Sequence, residues 1–124
     1  MAALRELMST KVVSISPGNS VAHAAAAMVA AGVGSAVVMQ GRFLAGILTE
    51  RDVLRAAASG QDLRGSEVSE WMTPDPQSAS PDAPAEEAAQ LMLLNGFRHL
   101  PVVADREVCG IVSLRDLFAA RIRR

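Results

Sequence analysis

Cysteine is almost absent from this chain. The single Cys109 has no partner for an internal disulfide and rules out a cysteine-rich zinc site. Lysine is equally scarce: of 12 basic residues only Lys11 is a lysine, and the formal net charge is −1. That balance argues against binding nucleic acid through a basic surface. Long apolar runs are missing too. The longest small-apolar stretch, Ala22–Val33, is too short and too weakly hydrophobic to span a bilayer. The start, Met1 to Met8, has no signal-peptide apolar core, so a soluble cytoplasmic protein without membrane attachment is expected. Catalytic constellations are also lacking: there is no nucleophile elbow, no P-loop and no clustered His and Cys. His23 has no Cys, Asp or His at ligand spacing, which leaves no metal site. The expectation is a protein that is not an enzyme and requires no cofactor.

What is present is a repeat. Shifted by 64 residues, Leu4–Arg55 lies over Val68–Ala119 without a gap, and fifteen of the 52 aligned positions are identical. They include Met8/Met72, Ser16-Pro17/Ser80-Pro81, Met28/Met92, Gly32/Gly96, Gly46-Ile47/Gly110-Ile111 and Arg51-Asp52/Arg115-Asp116. A two-fold repeat of this length is not a solenoid, which needs at least three units to bury a core. With 124 residues, 50% of them hydrophobic, the chain is expected to form one compact domain or two halves sharing a core. The domain boundaries read as 1–59 for the first repeat, 60–67 for a polar linker and 68–124 for the second. Any site lying between the halves would come in two pseudo-equivalent versions.

Each repeat predicts the order β-α-β-β-α after a short lead-in, Leu4–Met8 or Val68–Met72. In the first, Val12–Ile15 is a β-branched strand and Ser16–Asn19 a turn. Ser20 caps an Ala-rich helix over Val21–Ala31, which Gly32 ends in a left-handed conformation. Ala36–Met39 and Phe43–Leu48 form a hairpin about Gln40-Gly41-Arg42. Thr49 then caps a helix to about Ala58, stopped by Gly60. In the second repeat, Pro84 occupies the first turn of a helix to Asn95, Glu86 and Glu87 suit its positive end, and Gly96 stops it. Leu100–Val103 and Glu107–Val112 form the hairpin with Ala104-Asp105-Arg106 as turn, and Ser113 caps the last helix, Leu114–Ile122. Arg121, Arg123 and Arg124 favour the negative end of that helix and read as a solvated tail. Met28 and Met92 fall on apolar helix faces, Cys109 reads as a core thiol, and Trp71 reads as an anchor for the lead-in.

The sharpest local pattern is Gly46-Ile47-Leu48-Thr49-Glu50-Arg51-Asp52 and its copy Gly110-Ile111-Val112-Ser113-Leu114-Arg115-Asp116. Glycine admits close approach of another group to the strand. The hydroxyl stands at a helix N-terminus, where free N–H groups and the helix dipole attract anions. The arginine suits a phosphate, and the aspartate suits two ribose hydroxyls. The same spacing also makes a capping box, in which hydroxyl and carboxylate satisfy the first helical N–H groups. Both readings stand on spacing. A cap does not require the arginine found in both copies, and this favours a ligand.

The repeat resembles the cystathionine-β-synthase (CBS) domain, and the whole chain, from about Leu4 to about Ala119, resembles a stand-alone tandem pair, or Bateman module. The resemblance is carried by Leu7-Met8-Ser9-Thr10 and Trp71-Met72-Thr73-Pro74, by Ser16-Pro17 and Ser80-Pro81, by Gly96 to Val103, and by the Gly-x-x-Ser/Thr-x-Arg-Asp endings. It implies an α/β (α+β) fold of two pseudo-symmetric repeats packed through their sheets. It also implies a regulatory or sensor module whose clefts bind AMP, ADP, ATP or S-adenosylmethionine, usually as a homodimer, signalling to an unknown effector protein in trans. Carried onto this chain, cleft A combines Thr49, Arg51 and Asp52 with Gln77, Arg98, His99 and Pro101. Cleft B combines Ser113, Arg115 and Asp116 with Lys11, Val13, Ser35 and Ala36. The chain departs from the family pattern at Val37, where proline is usual as at Pro101, and at Pro76–Ala79, which replaces a β-branched strand. The alternative reading is a ligand-free interaction or dimerisation domain.

Overall fold

The computed structural model describes residues 2–122; Arg123 and Arg124, the end of the expected tail, lie outside the described residues. Its contacts divide into two compact units. One is Val13–Pro76. The other joins Met1–Val12 to Gln77–Arg124. The division is not the division of the sequence repeat, because each lead-in belongs to the unit built by the other copy.

In the unit Val13–Pro76, strand β1 (Ser14–Ile15) pairs in parallel with β2 (Ser35–Gln40). Strand β2 pairs antiparallel with β3 (Phe43–Thr49), which pairs with β4 (Thr73–Pro74). Helices α2 (Val21–Ala31), α3 (Glu50–Ala58) and the single turn α4 (Val68–Trp71) complete it. The bounds of α2 follow from local chemistry. Ser20 Oγ accepts the His23 N–H at 3.0 Å, and Gly32 closes the helix at φ 69°, a conformation that favours glycine. The core gathers Ile15, Ala24, Met28, Ala36, Val38, Leu48 and Val68. Residues 60–67, read as a linker, are tied down by backbone bonds from Val21 N–H to Ser66 C=O and from Ala22 N–H to Leu63 C=O.

The other unit repeats this plan with α1 (Leu4–Leu7), α5 (Ala85–Asn95), β5 (His99–Ala104), β6 (Glu107–Ser113) and α6 (Leu114–Ile122). Its core is Leu4, Ala88, Met92, Leu100, Val102, Val112 and Leu117. The two methionines expected inside, Met28 and Met92, are both buried. Pro84 stands just before α5 as its N-cap, one residue earlier than the first turn expected for it. Cys109 is half-buried, its thiol against the Val102 carbonyl. Where the first repeat has β1, the Pro76–Ala79 segment makes only one bridge, Ala79 to Val102. In the first repeat the Val37 N–H donates to Val13 C=O; its equivalent, Pro101, has no N–H to donate to Gln77, which shortens the ladder there.

The crossing of the lead-ins explains several repeated residues at once. Leu4 N–H donates to Ala83 C=O and Arg5 N–H to Pro81 C=O; equivalently, Val68 N–H donates to Asn19 C=O and Ser69 N–H to Pro17 C=O. The Ser-Pro turn of each copy therefore receives the lead-in of the other. Behind it, Met72 lies on Gly46 and Met8 on Gly110. A Cβ at Gly46 would come within 2.5 Å of the Met72 sulfur and 2.9 Å of the Thr73 carbonyl oxygen. At Gly110 it would come within 2.6 Å of the Met8 sulfur and 3.0 Å of the Ser9 carbonyl oxygen. The close approach expected at these glycines is that of the lead-in backbone and its methionine.

Candidate functional site

Each unit carries one copy of the hydroxyl-Arg-Asp segment beside the first residues of its hairpin. In the unit Val13–Pro76, Thr49 lies opposite Ser35 across the β2–β3 ladder, and the Glu50 N–H donates to Gly34 C=O at 2.9 Å. In the other unit, Ser113 lies opposite His99, and the Leu114 N–H donates to Arg98 C=O at 2.9 Å. The start of each closing helix is therefore pinned to the start of the hairpin strand. That places a hydroxyl, an arginine and a carboxylate at one edge of each unit.

The capping box forms in both copies. Thr49 Oγ1 accepts the Asp52 N–H at 3.3 Å, while Asp52 Oδ2 accepts the Thr49 N–H at 2.9 Å and the Thr49 hydroxyl at 3.1 Å. Ser113 Oγ accepts the Asp116 N–H at 3.0 Å, and Asp116 Oδ2 accepts the Ser113 N–H at 3.3 Å. Arg51 and Arg115 are exposed and have no part in either box. The reading as a cap thus accounts for the hydroxyls and carboxylates, and leaves the paired arginines to be accounted for by something else.

Of the residues expected to contact a ligand, Val13, Ser35, Ala36, Thr49, Arg51 and Asp52 belong to one unit. Lys11, Gln77, Arg98, His99, Pro101, Ser113, Arg115 and Asp116 belong to the other. Val13 C=O accepts the Val37 N–H, which sets it beside Ala36 at the start of β2. Ser35, Ala36 and Pro101 are buried, His99 is half-buried, and Lys11, Gln77 and Arg98 are exposed. An apolar groove of about 80 Å³, lined by residues of α1, α5 and α6 such as Ala89, Leu117 and Phe118, contains none of the expected contact residues. No group of three or more His, Cys, Asp or Glu arranged to hold a metal exists among the described residues, and none of their helices is long and apolar enough to cross a membrane.

Beside this site, Arg55 went unmarked in the sequence, and Trp71 read there only as an anchor for the lead-in. Arg55 Nη1 donates to Asp52 Oδ1 at 3.0 Å, and its guanidinium carbon lies 5.5 Å from the centre of the Trp71 ring. The Trp71 Nε1–H is buried without a hydrogen-bond partner among the described residues. The available signal was an asymmetry between the copies: Arg55 aligns with Ala119, and Trp71 with Leu7.

The model of the CBS domain family matches residues 4–59 and 68–123. The CBS domain-containing protein YhcV of Bacillus subtilis is 37% identical over 118 residues, covering 94% of this chain and 84% of that protein. The crystal structure of the CBS domain protein NE2398 superposes with a TM-score of 0.90 at 32% identity, over 98% of this chain and 99% of that one. The CBS domain pair of protein MJ0100, solved in complex with 5′-methylthioadenosine and S-adenosyl-L-methionine, has a TM-score of 0.90 at 23% identity, over 99% of this chain and 98% of that one. With both repeats matched and nearly the whole chain covered, this protein belongs to the CBS domain family, as a tandem pair.

Proposed function

We propose that this pair is a regulatory module that binds an adenosine-containing ligand, one of AMP, ADP, ATP or S-adenosylmethionine, and signals to a partner protein in trans without catalysing a reaction. CBS pairs are regulatory modules. The observation that carries the ligand reading is the duplicated edge: a hydroxyl, an exposed arginine and an aspartate at the start of α3 and again at the start of α6. A helix start favours an anion through its free N–H groups and dipole. We assign Thr49, Arg51 and Asp52, with Ser113, Arg115 and Asp116, to the ribose and phosphate. Lys11, Val13, Ser35, Ala36, Gln77, Arg98, His99 and Pro101 are assigned to the base and its surroundings. The same fold holds two adenosine compounds in MJ0100, which supports that ligand class.

A homodimer is part of this reading. Four of the six exposed large apolar side chains among the described residues form repeat-equivalent pairs: Val29 on α2 and Leu93 on α5 are 81% and 59% exposed, and Leu54 on α3 and Phe118 on α6 are 70% and 48% exposed. An apolar face kept in both copies is better explained by a protein surface that covers it than by solvent.

The test of ligand binding is thermal. A compound that binds only the folded chain adds roughly 2.7 kcal/mol at about 100 times its dissociation constant. AMP, ADP, ATP or S-adenosylmethionine should raise the melting temperature, and adenine-free phosphates should not. Indifference to every adenosine compound at millimolar concentration would remove the reading. It would leave the alternative, an interaction domain without ligand, which the internally satisfied capping boxes favour.

A further inference from the structure

Asp52 and Asp116 occupy equivalent positions in unlike surroundings. The Asp52 side chain is 10% exposed and both its oxygens are engaged, Oδ2 by Thr49 and Oδ1 by Arg55. Asp116 is exposed, and only its Oδ2 accepts a hydrogen bond among the described residues. The difference comes from two positions at which the copies diverge. Where the second repeat has Ala119 the first has Arg55, and where the first has Leu7 the second has Trp71, brought into the same unit by the crossing of the lead-ins. The Arg55 guanidinium is held from one side by a carboxylate and from the other by an aromatic face, within the range of a cation–π contact. An ion pair fixed at both ends loses less side-chain entropy on forming than a free surface pair does.

We propose that Arg55 is a positioning residue that competes with the ligand's ribose hydroxyls for Asp52, making the Asp52 side the weaker of the two, and that its release on ligand binding is passed through Trp71 to the lead-in turn α4. The inference rests on the adenosine reading. A ribose diol needs carboxylate lone pairs facing it; at Asp116 one oxygen is open, while at Asp52 the corresponding oxygen is given to Arg55. With Asp52 almost enclosed, a hydroxyl and the guanidinium do not both fit, so the ligand has to displace Arg55. The freed guanidinium then leaves the ring of Trp71, whose helical turn leads directly into strand β4.

The experiment uses adenosine, which carries no phosphate and so isolates the ribose contact, alongside AMP. In an Asp116→Ala background, where only the Asp52 side reports, adding Arg55→Ala should tighten adenosine binding about five-fold by calorimetry, the scale set by a partly exposed ion pair. Arg55→Lys keeps a cation beside Asp52 and should bind like the parent. Trp71 is the single tryptophan in a chain with no tyrosine, so its emission is a native reporter. Saturating adenosine should change that emission in the parent, and the change should vanish in the Arg55→Ala variant although that variant binds more tightly. Unchanged or weaker adenosine binding in the Arg55→Ala variant, or emission indifferent to saturating adenosine in the parent, overturns the role of Arg55 and leaves the ligand reading standing. Failure of the unmodified chain to bind either adenosine or AMP overturns both.

Discussion

At the residue scale the repeated glycines and aspartates support different predictions. Gly46→Ala and Gly110→Ala each drive a methyl group against a methionine sulfur and a backbone carbonyl. The methionine can swing away; the carbonyl belongs to a paired lead-in and cannot. Each substitution should cost about 1–3 kcal/mol, as overpacking generally does, measured by urea unfolding. Truncating the facing methionine as well should recover only part of the loss. The aspartates separate stability from binding. Asp52→Ala removes the cap of α3 and leaves Arg55 without its carboxylate, whereas Asp116→Ala removes a cap alone. Loss of a cap costs about 1 kcal/mol, so without ligand Asp52→Ala should be the more destabilising variant. In nucleotide titrations the order should reverse, with Asp116→Ala weakening binding more. The identities of these residues were readable from the repeat. Their inequality was not, because it depends on Arg55 and Trp71, which lie 16 positions apart and meet only after the lead-in has crossed.

At the element scale the hairpins are a natural experiment. The β2–β3 turn places Gly41 at φ 62°, where glycine is unstrained. The β5–β6 turn forces two residues that carry Cβ atoms, Asp105 at φ 52° and Arg106 at φ 67°, into the left-handed region. Aspartate tolerates it; arginine does so at a cost of about 1–2 kcal/mol. Arg106→Gly, which creates the Asp-Gly pair that two-residue hairpins prefer, should therefore stabilise the chain by about 0.5–1 kcal/mol after the added backbone entropy of glycine, seen as a higher urea midpoint. Elements with strong local signals were legible in the sequence: α2 runs from Ser20 to Gly32 because a hydroxyl and a glycine bound it, and α5 ends at Gly96 for the same reason. The four-residue helices α1 and α4 were visible only as lead-ins. They have too few turns to show a periodicity, and their stability comes from a distant Ser-Pro turn.

At the scale of the whole molecule, the pairing of segments departs from their order in the chain. The repeat shows that two similar pieces exist, but self-similarity cannot say which copy receives which lead-in. A chain cut at the repeat boundary, 1–59, lacks Val68, Met72 and β4, all of which belong to its core and sheet. It should remain largely unfolded by circular dichroism. The contiguous stretch 13–76 holds a complete unit and should fold. For the dimer, sedimentation of the full chain at tens of micromolar should show a species heavier than 13.0 kDa; charged replacements at Leu54 and Phe118 should return it to that mass. The crossing also orders events during synthesis. Ser9 precedes its hydrogen-bonding partner Ile111 by about 100 residues of chain. At elongation rates of about 5–20 residues per second that interval is roughly 5–20 s. Residues 13–76 can close on the ribosome during it, while the Ser9 segment waits for the strand that carries Ile111.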